Sequence, residues 1–258
     1  MTQSNISQLF EDIDRRVMSN LAQVSLKSME ESGHKLHHDA EAARYSILRR
    51  LAPALKHDMV VNLQAVSMMA EVLAARLEKG LLPSAELQKN ISKINRLARG
   101  AVATCLKVTE WIEPAEDEGV RLRDGVSECV ALMQSSFNFR GFSINNTVPE
   151  TEFEVCRAIV RNLLAASLFV LTDAAAGACE VMIEAKVVDG FAELKVCCMP
   201  CGDPSAGRPV DVSYRPLEWS DIQALAAAES IQVDREGNCI VMAIPRLVPM
   251  IPLRIVPL

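Results

Sequence analysis

Aromatic side chains are scarce in this chain. Seven Phe, two Tyr and two Trp make up 4% of 258 residues, which argues against sites that stack sugars or bases on rings. No apolar run approaches the roughly 20 residues that span a bilayer. The best, residues 163–171, is about half that length and is soon followed by Asp173. The opening segment is polar and acidic where a signal peptide is basic and then apolar, so export is not expected. Positive charge is also in deficit. Lys and Arg number 27 against 33 Asp and Glu, a net charge of -6, so there is no global attraction to nucleic acid or to an anionic membrane. A local basic patch stays open.

What is present is Ala, Leu, Val and Met. The 50% apolar content supports a full hydrophobic core in one large or two modest domains. The eight cysteines, at 105, 129, 156, 179, 197, 198, 201 and 239, are scattered as reduced thiols of a soluble cytoplasmic protein are, and not as a disulfide framework.

The two halves differ. Up to residue 112 the chain has Pro53 and a turn at Lys79-Gly80-Leu81-Leu82-Pro83, with little β-branched clustering, and reads as helical. Within 84–112, Leu87, Ile91, Ile94, Ala98, Ala101, Cys105, Val108 and Ile112 follow spacings of four and three without a break, a heptad seam. The preceding helix, 41–79, carries a stripe at Ala52, Leu55, Met59, Leu63, Val66, Ala70, Leu73 and Leu77. Two long helices on a short turn form an antiparallel hairpin, and pairing two hairpins into a homodimeric four-helix bundle is the simplest way to bury both seams. Ile6, Phe10, Ile13 and Val17 predict an extra helix near the N-terminus.

The acidic run 113–119, with Pro114 and Gly119, ends the helical half. Beyond it, periodicity predicts helices over 124–137, 154–172 and 218–228 and a strand over 142–148. It also predicts one hairpin around Asp189-Gly190 and a second, from 231 to 244, around Glu236-Gly237. That order is an α+β sandwich with helices on one face. The chain thus divides into an N-terminal helical extension (1–40), a helical hairpin (41–113), a linker (114–119) and an α/β domain (120–258).

His57 lies about 165° from the centre of its helix's stripe and is expected to be exposed. Val61, Met68 and Val72 form a weaker apolar strip on its side of the helix. Either a partner protein docks there or the chain's own second domain does.

The segment Lys56-His57-Asp58-Met59-Val60-Val61-Asn62-Leu63-Gln64 resembles the H-box of bacterial two-component histidine kinases, whose core is a dimerisation and histidine-phosphotransfer bundle followed by a GHKL-type ATPase domain. The resemblance covers residues 40–245 and implies that fold: a dimeric four-helix bundle, then an α+β sandwich like the GHKL ATPase. Three departures stand out. Where the family carries N-L-L-x-N-A, residues 161–167 keep Asn162, Leu163 and Leu164 but have Ala166 at the metal-ligand position, and a methyl group offers magnesium no oxygen. The strand that should end in D-x-G reads Val196-Cys197-Cys198-Met199-Pro200. With 11 glycines in all, no G-x-G loop precedes the last helix, where the chain reads Val212-Ser213-Tyr214-Arg215-Pro216-Leu217-Glu218-Trp219.

The resemblance with these losses implies a histidine phosphotransfer protein without ATP-dependent autophosphorylation and with neither nucleotide nor metal cofactor. Its partners would be a second copy of itself, a response-regulator receiver domain and an upstream histidine kinase. His57 would carry the phosphoryl group, with Asp58 hydrogen-bonding the ring to select the tautomer. Arg49, Arg50 and Lys56 would supply positive charge to the docking surface, or else form a solvated helix face. Val61 occupies the position, four after the histidine, where many kinases place a water-orienting Thr or Asn; Asn62 is one step further. The alternative is a non-catalytic dimer that binds or inhibits a receiver or kinase.

Other features read more simply. His34 and His38, i and i+4, lack further ligands at suitable spacing and read as a solvated segment with His37 near a helix break. Cys198 and Cys201 have C-x-x-C spacing but follow a strand and do not open a helix. The tail 245–252 reads as a strand ending in a Pro-rich coil.

Overall fold

The structure is a computed structural model. It describes the backbone of residues 3–80, 83–112, 118–201 and 215–247, and their side chains from Gly33 onward except Ser135. Two antiparallel helices come first. Helix α1 runs Gln3–Glu78 and α2 runs Ser84–Ile112. The segment 1–40 is therefore not set apart by a break: α1 continues from Gln3 through His34, His37 and His38, all three exposed, because nothing in 33–39 stops a helix strongly enough. Pro53 also lies inside α1 and omits one backbone hydrogen bond from it. The stripe at Ile6, Phe10, Ile13 and Val17, the turn residues Leu81 and Leu82, the run 113–117 and the tail from 248 lie outside the described side chains or residues.

The two helices meet along a seam rotated slightly from the expected one. Half-buried or buried positions on α1 are Leu55, Met59, Asn62, Val66, Met69 and Leu73, and on α2 Leu87, Asn90, Ile94, Leu97, Ala101, Thr104 and Val108. Cys105 Sγ is 3.2 Å from Met59 Sδ, and a Cβ on Gly100 would come within 3.3 Å of Asn62 Nδ2. Of the other members of the two heptad stripes, Ala98 is half-buried, while Ala52, Leu63, Ala70 and Leu77 on α1 and Ile91, Cys105 and Ile112 on α2 are exposed; Leu63 and Ile91 are displaced to one side of the seam, with Val102 and Leu106 beside them.

By length and composition alone, part of α1 is long and apolar enough to pass for a membrane span. No unbroken apolar run underlies this; scattered polar residues interrupt the stretch without lowering its average far. The same stretch lies along α2, which carries Lys89, Lys93, Arg96, Arg99 and Lys107, a set a bilayer interior would accept only at high cost.

The second half is a layer of helices on a mixed sheet. In chain order it contains β1 (Gly119–Arg121), α3 (Leu122–Phe139), β2 (Ser143–Asn146), β3 (Glu154–Cys156), α4 (Arg157–Ala174), β4 (Cys179–Val188), β5 (Phe191–Pro200), α5 (Trp219–Ala228), β6 (Gln232–Glu236) and β7 (Cys239–Pro245). The five-stranded sheet has the order β2-β4-β5-β7-β6, with β2 parallel to β4 and the other neighbours antiparallel. Gly190, at φ +86°, turns β4 into β5, and Gly237, at φ +59°, turns β6 into β7, conformations that favour glycine.

Two local expectations are corrected. The helix predicted from Glu154 begins at Arg157, because residues 154–156 pair with β1 instead: Val155 is buried opposite Val120, and the Arg157 amide donates to the Glu118 carbonyl at 2.9 Å. The cysteines are not all reduced. Cys197 and Cys239 face each other across β5 and β7 with Cα atoms 4.1 Å apart and form a disulfide; spacing of 42 in sequence hid a cross-strand pair. Cys105, Cys129, Cys156, Cys179, Cys198 and Cys201 lie outside this bridge.

One continuous core joins the halves. Ala40, Ala43, Ile47, Leu51 and Leu55 of α1 share it with α3, α4 and α5. Helix α4 is buried along most of its circumference, from Ile159 to Thr172, because the sheet covers one side while α1, α3 and α5 pack around the rest.

Candidate functional site

His57 stands on α1 half a turn beyond Leu55, the last residue that α1 gives to the shared core. Its side chain is 74% exposed and that of Asp58 66%. The Nδ1 of His57 lies 3.5 Å from Asp58 Oδ1. Neighbouring helical residues diverge by about 100°, and favourable rotamers close that gap here. With the proton on Nδ1 the ring donates toward Asp58 and leaves the Nε2 lone pair outward, accessible to an electrophile. Lys56 is exposed beside it, and Val61, Met68 and Val72 are exposed further along. Asn62 is turned into the α1–α2 seam over Gly100 and away from His57.

The three basic residues expected at a docking surface separate. Lys56 and Arg49 are exposed. Arg50 is not part of that surface: its side chain is 9% exposed and its guanidinium grips both oxygens of Asp173, at the end of α4, with Nη2 to Oδ1 at 2.8 Å. Arg140 reaches the same carboxylate at 3.0 Å and the Thr172 carbonyl at 3.2 Å. Burial among the helices holds the Arg140 guanidinium below its ordinary range, with Asp173 opposing the shift. Arg50 also lies over the Phe169 ring at 4.1 Å and Arg140 over Phe142 at 4.9 Å. Helical spacing alone places Arg50 on the solvent side; the signal that it turns inward is Asp173, a carboxylate at the end of an apolar helix that calls for a cation.

Further polar ties fasten the hairpin to the α/β half. Arg44 pairs with Glu229 at 2.9 Å and Arg161 with Glu110 at 2.8 Å. Arg215 bridges Ser46 Oγ at 3.2 Å and Asp221 at 2.7 Å, while Asp221 accepts the Glu218 amide at 2.8 Å and caps α5.

Ala166, the residue at the expected metal-ligand position, is 0% exposed. Val212, Ser213 and Tyr214 lie outside the described residues. Among the described residues no group of three or more His, Cys, Asp and Glu side chains is arranged to hold a metal ion. Cys198 is buried and Cys201 exposed, so the C-x-x-C pair does not share one environment.

No family model matches the chain, and no curated protein does. Among solved structures, it is similar to the histidine kinase AdeS of Acinetobacter baumannii. That likeness has 14% identity and a TM-score of 0.37, covering 72% of this chain and 96% of that one. It is similar also to a bacterial phosphotransferase, with 15% identity and a TM-score of 0.34, over 76% of this chain and 95% of that one. The histidine kinase ThkA, solved in complex with the response regulator TrrA, shows 16% identity and a TM-score of 0.39, over 83% of this chain and 67% of that one.

Proposed function

We propose that the chain is a cytoplasmic histidine phosphotransfer protein of two-component signalling, which receives and returns phosphoryl groups at His57 and works as a homodimer with response-regulator receiver domains. A histidine kinase further upstream would supply the receiver's phosphate. The observation that carries this reading is the exposed imidazole with one nitrogen facing Asp58 and the other open to solvent. In the forward step Nε2 attacks the phosphorus of a receiver's aspartyl phosphate, the N–P bond forms, the acyl O–P bond breaks, and the receiver carboxylate leaves. Asp58 stabilises the positive charge that develops on the ring. The return step is the reverse.

Two features support a protein that does not use ATP. Ala166 is enclosed and carries no oxygen, and the β5 strand end has the disulfide-bonded Cys197 and the Cys198 thiol where a base-reading carboxylate would stand. The exposed stripe of Leu63, Leu77, Ile91, Val102, Leu106 and Ile112 supports pairing of two hairpins.

The test is incubation with a receiver domain labelled on its aspartate and, separately, with labelled ATP. Acid-labile label is expected on the parent from the receiver and not from ATP, and none on His57→Ala. Undiminished labelling of His57→Ala would end the proposal. Receiver binding without any phosphohistidine, unchanged in His57→Ala, would establish the binding-scaffold alternative instead.

A further inference from the structure

A cavity of about 410 Å³ opens at the C-terminal end of α4, where the sheet ends in the first residues of β4, the last of β5 and the β6–β7 turn. Its size falls within the range of about 300–1,000 Å³ usual for small-molecule sites. The wall is made of Leu171, the small residues 174–178, Cys179, Cys198 and Pro200; small side chains there leave the volume unfilled. The Cys198 thiol is pushed up to about 12 by burial and by the neighbouring Cys179, so this wall carries no charge at neutral pH.

The polar groups are confined to one side. Arg235, near the end of β6, and Asn238, in the β6–β7 turn, line the cavity. Arg235 Nε donates to the Gly237 carbonyl at 3.3 Å. Among the described residues no carboxylate lines the cavity or pairs with Arg235. An apolar chamber with one cation and one amide at its rim favours a ligand with an apolar body and a single negative charge, since the cation would otherwise repel a basic group and a neutral one would leave it unused.

We infer that this cavity binds a small apolar molecule bearing one anionic group, its body against Leu171, Cys179 and Cys198 and its charge on Arg235. Cys198 belongs to the strand end where the resemblance described above would place a carboxylate that reads adenine. The chamber therefore stands next to a site whose nucleotide-reading group is missing, and its lining suits a different class of ligand. The inference stands on the cavity alone and does not depend on phosphotransfer at His57.

The test uses the full-length protein and the fluorescent probe 8-anilinonaphthalene-1-sulfonate, displaced by decanoate or by decylamine, which share a tail and differ in charge. Decanoate is expected to displace the probe from one site per chain at concentrations at least tenfold lower than decylamine. Arg235→Gln should remove that preference while leaving thermal unfolding unchanged. Ala176→Trp, which fills the chamber from an exposed position, should weaken probe binding tenfold or more. Equal potency of the two amphiphiles, or an Arg235→Gln protein that keeps the preference, would overturn the inference. So would absence of probe binding to the parent, as when the chain's own residues fill the chamber, or displacement by magnesium ATP at concentrations matching decanoate, which would make this a nucleotide site.

Discussion

Arg50 and Asp173, 123 residues apart in sequence, form a two-point ion pair that is 9% exposed on each side and joins the helical hairpin to the α/β half. Arg140 shares the same carboxylate, so one anion serves two guanidiniums. Its neutralisation leaves both cations without a counter-charge, Arg140 keeping only the Thr172 carbonyl. Asp173→Asn is therefore expected to destabilise the protein by about 3–5 kcal/mol, read from urea unfolding. Arg50→Met, which keeps Arg140 on Asp173 and fills the space over Phe169, should cost clearly less. Equal losses in the two variants would show that the carboxylate is not the shared anchor.

The exposed apolar residues beside the α1–α2 seam predict the assembly state. Light scattering of the parent should give twice the chain mass of 28.3 kDa. Leu63→Glu combined with Val102→Glu places charges on the face between two hairpins, where pairing would desolvate them, and should give the single-chain mass. A double variant that keeps the parent mass would place the contact elsewhere.

The cysteines can be counted. Alkylation of the unfolded chain before reduction should modify six of the eight, and after reduction all of them, the difference mapping to Cys197 and Cys239. Because the bridge closes a loop of 42 residues, its reduction should lower stability by about 2–4 kcal/mol. Alkylation of all eight without reductant would contradict the pairing.

Alkaline stability follows from Cys129. Burial pushes its thiol up to about 12 from an ordinary 9.0. Between those pH values the folded state keeps a proton that the unfolded chain releases, so the folded state loses stability as pH rises, at most about 1.4 kcal/mol per pH unit for this group. Below pH 9 the contribution is fully present. Urea midpoints measured from pH 8 to 10.5 should fall with pH, and Cys129→Ala should make the fall shallower. A slope unaffected by that substitution would assign it to other groups.

Much of this architecture was legible in the residues. The unbroken 3–4 spacing of Leu87 to Ile112 marked α2, and Asp189-Gly190 marked a hairpin, because each is a local pattern repeated over many residues. The strands β1 and β3 are three residues each, shorter than a period can reveal. His57 and Asp58 could be picked from a motif, and the exposure of His57 from helical phase. Arg50 could not: its partner Asp173 is distant in sequence, and helical phase shows direction but not what packs there. The same holds for the Cys197–Cys239 bridge, which exists because β5 and β7 are neighbours.

The 76 residues of α1 form one rod about 110 Å long. Its middle third is clamped to the α/β half by Ala40, Ala43, Ile47, Leu51 and Leu55, and His57 projects just past that clamp. Torque or tilt applied at the N-terminal end meets the clamp before it meets the histidine. The length of helix that can turn freely with His57 is thus set by the segment beyond Leu55 and by α2 beside it. Pro53, within the clamped stretch, lacks the amide that would tie it to the preceding turn, one turn before the imidazole.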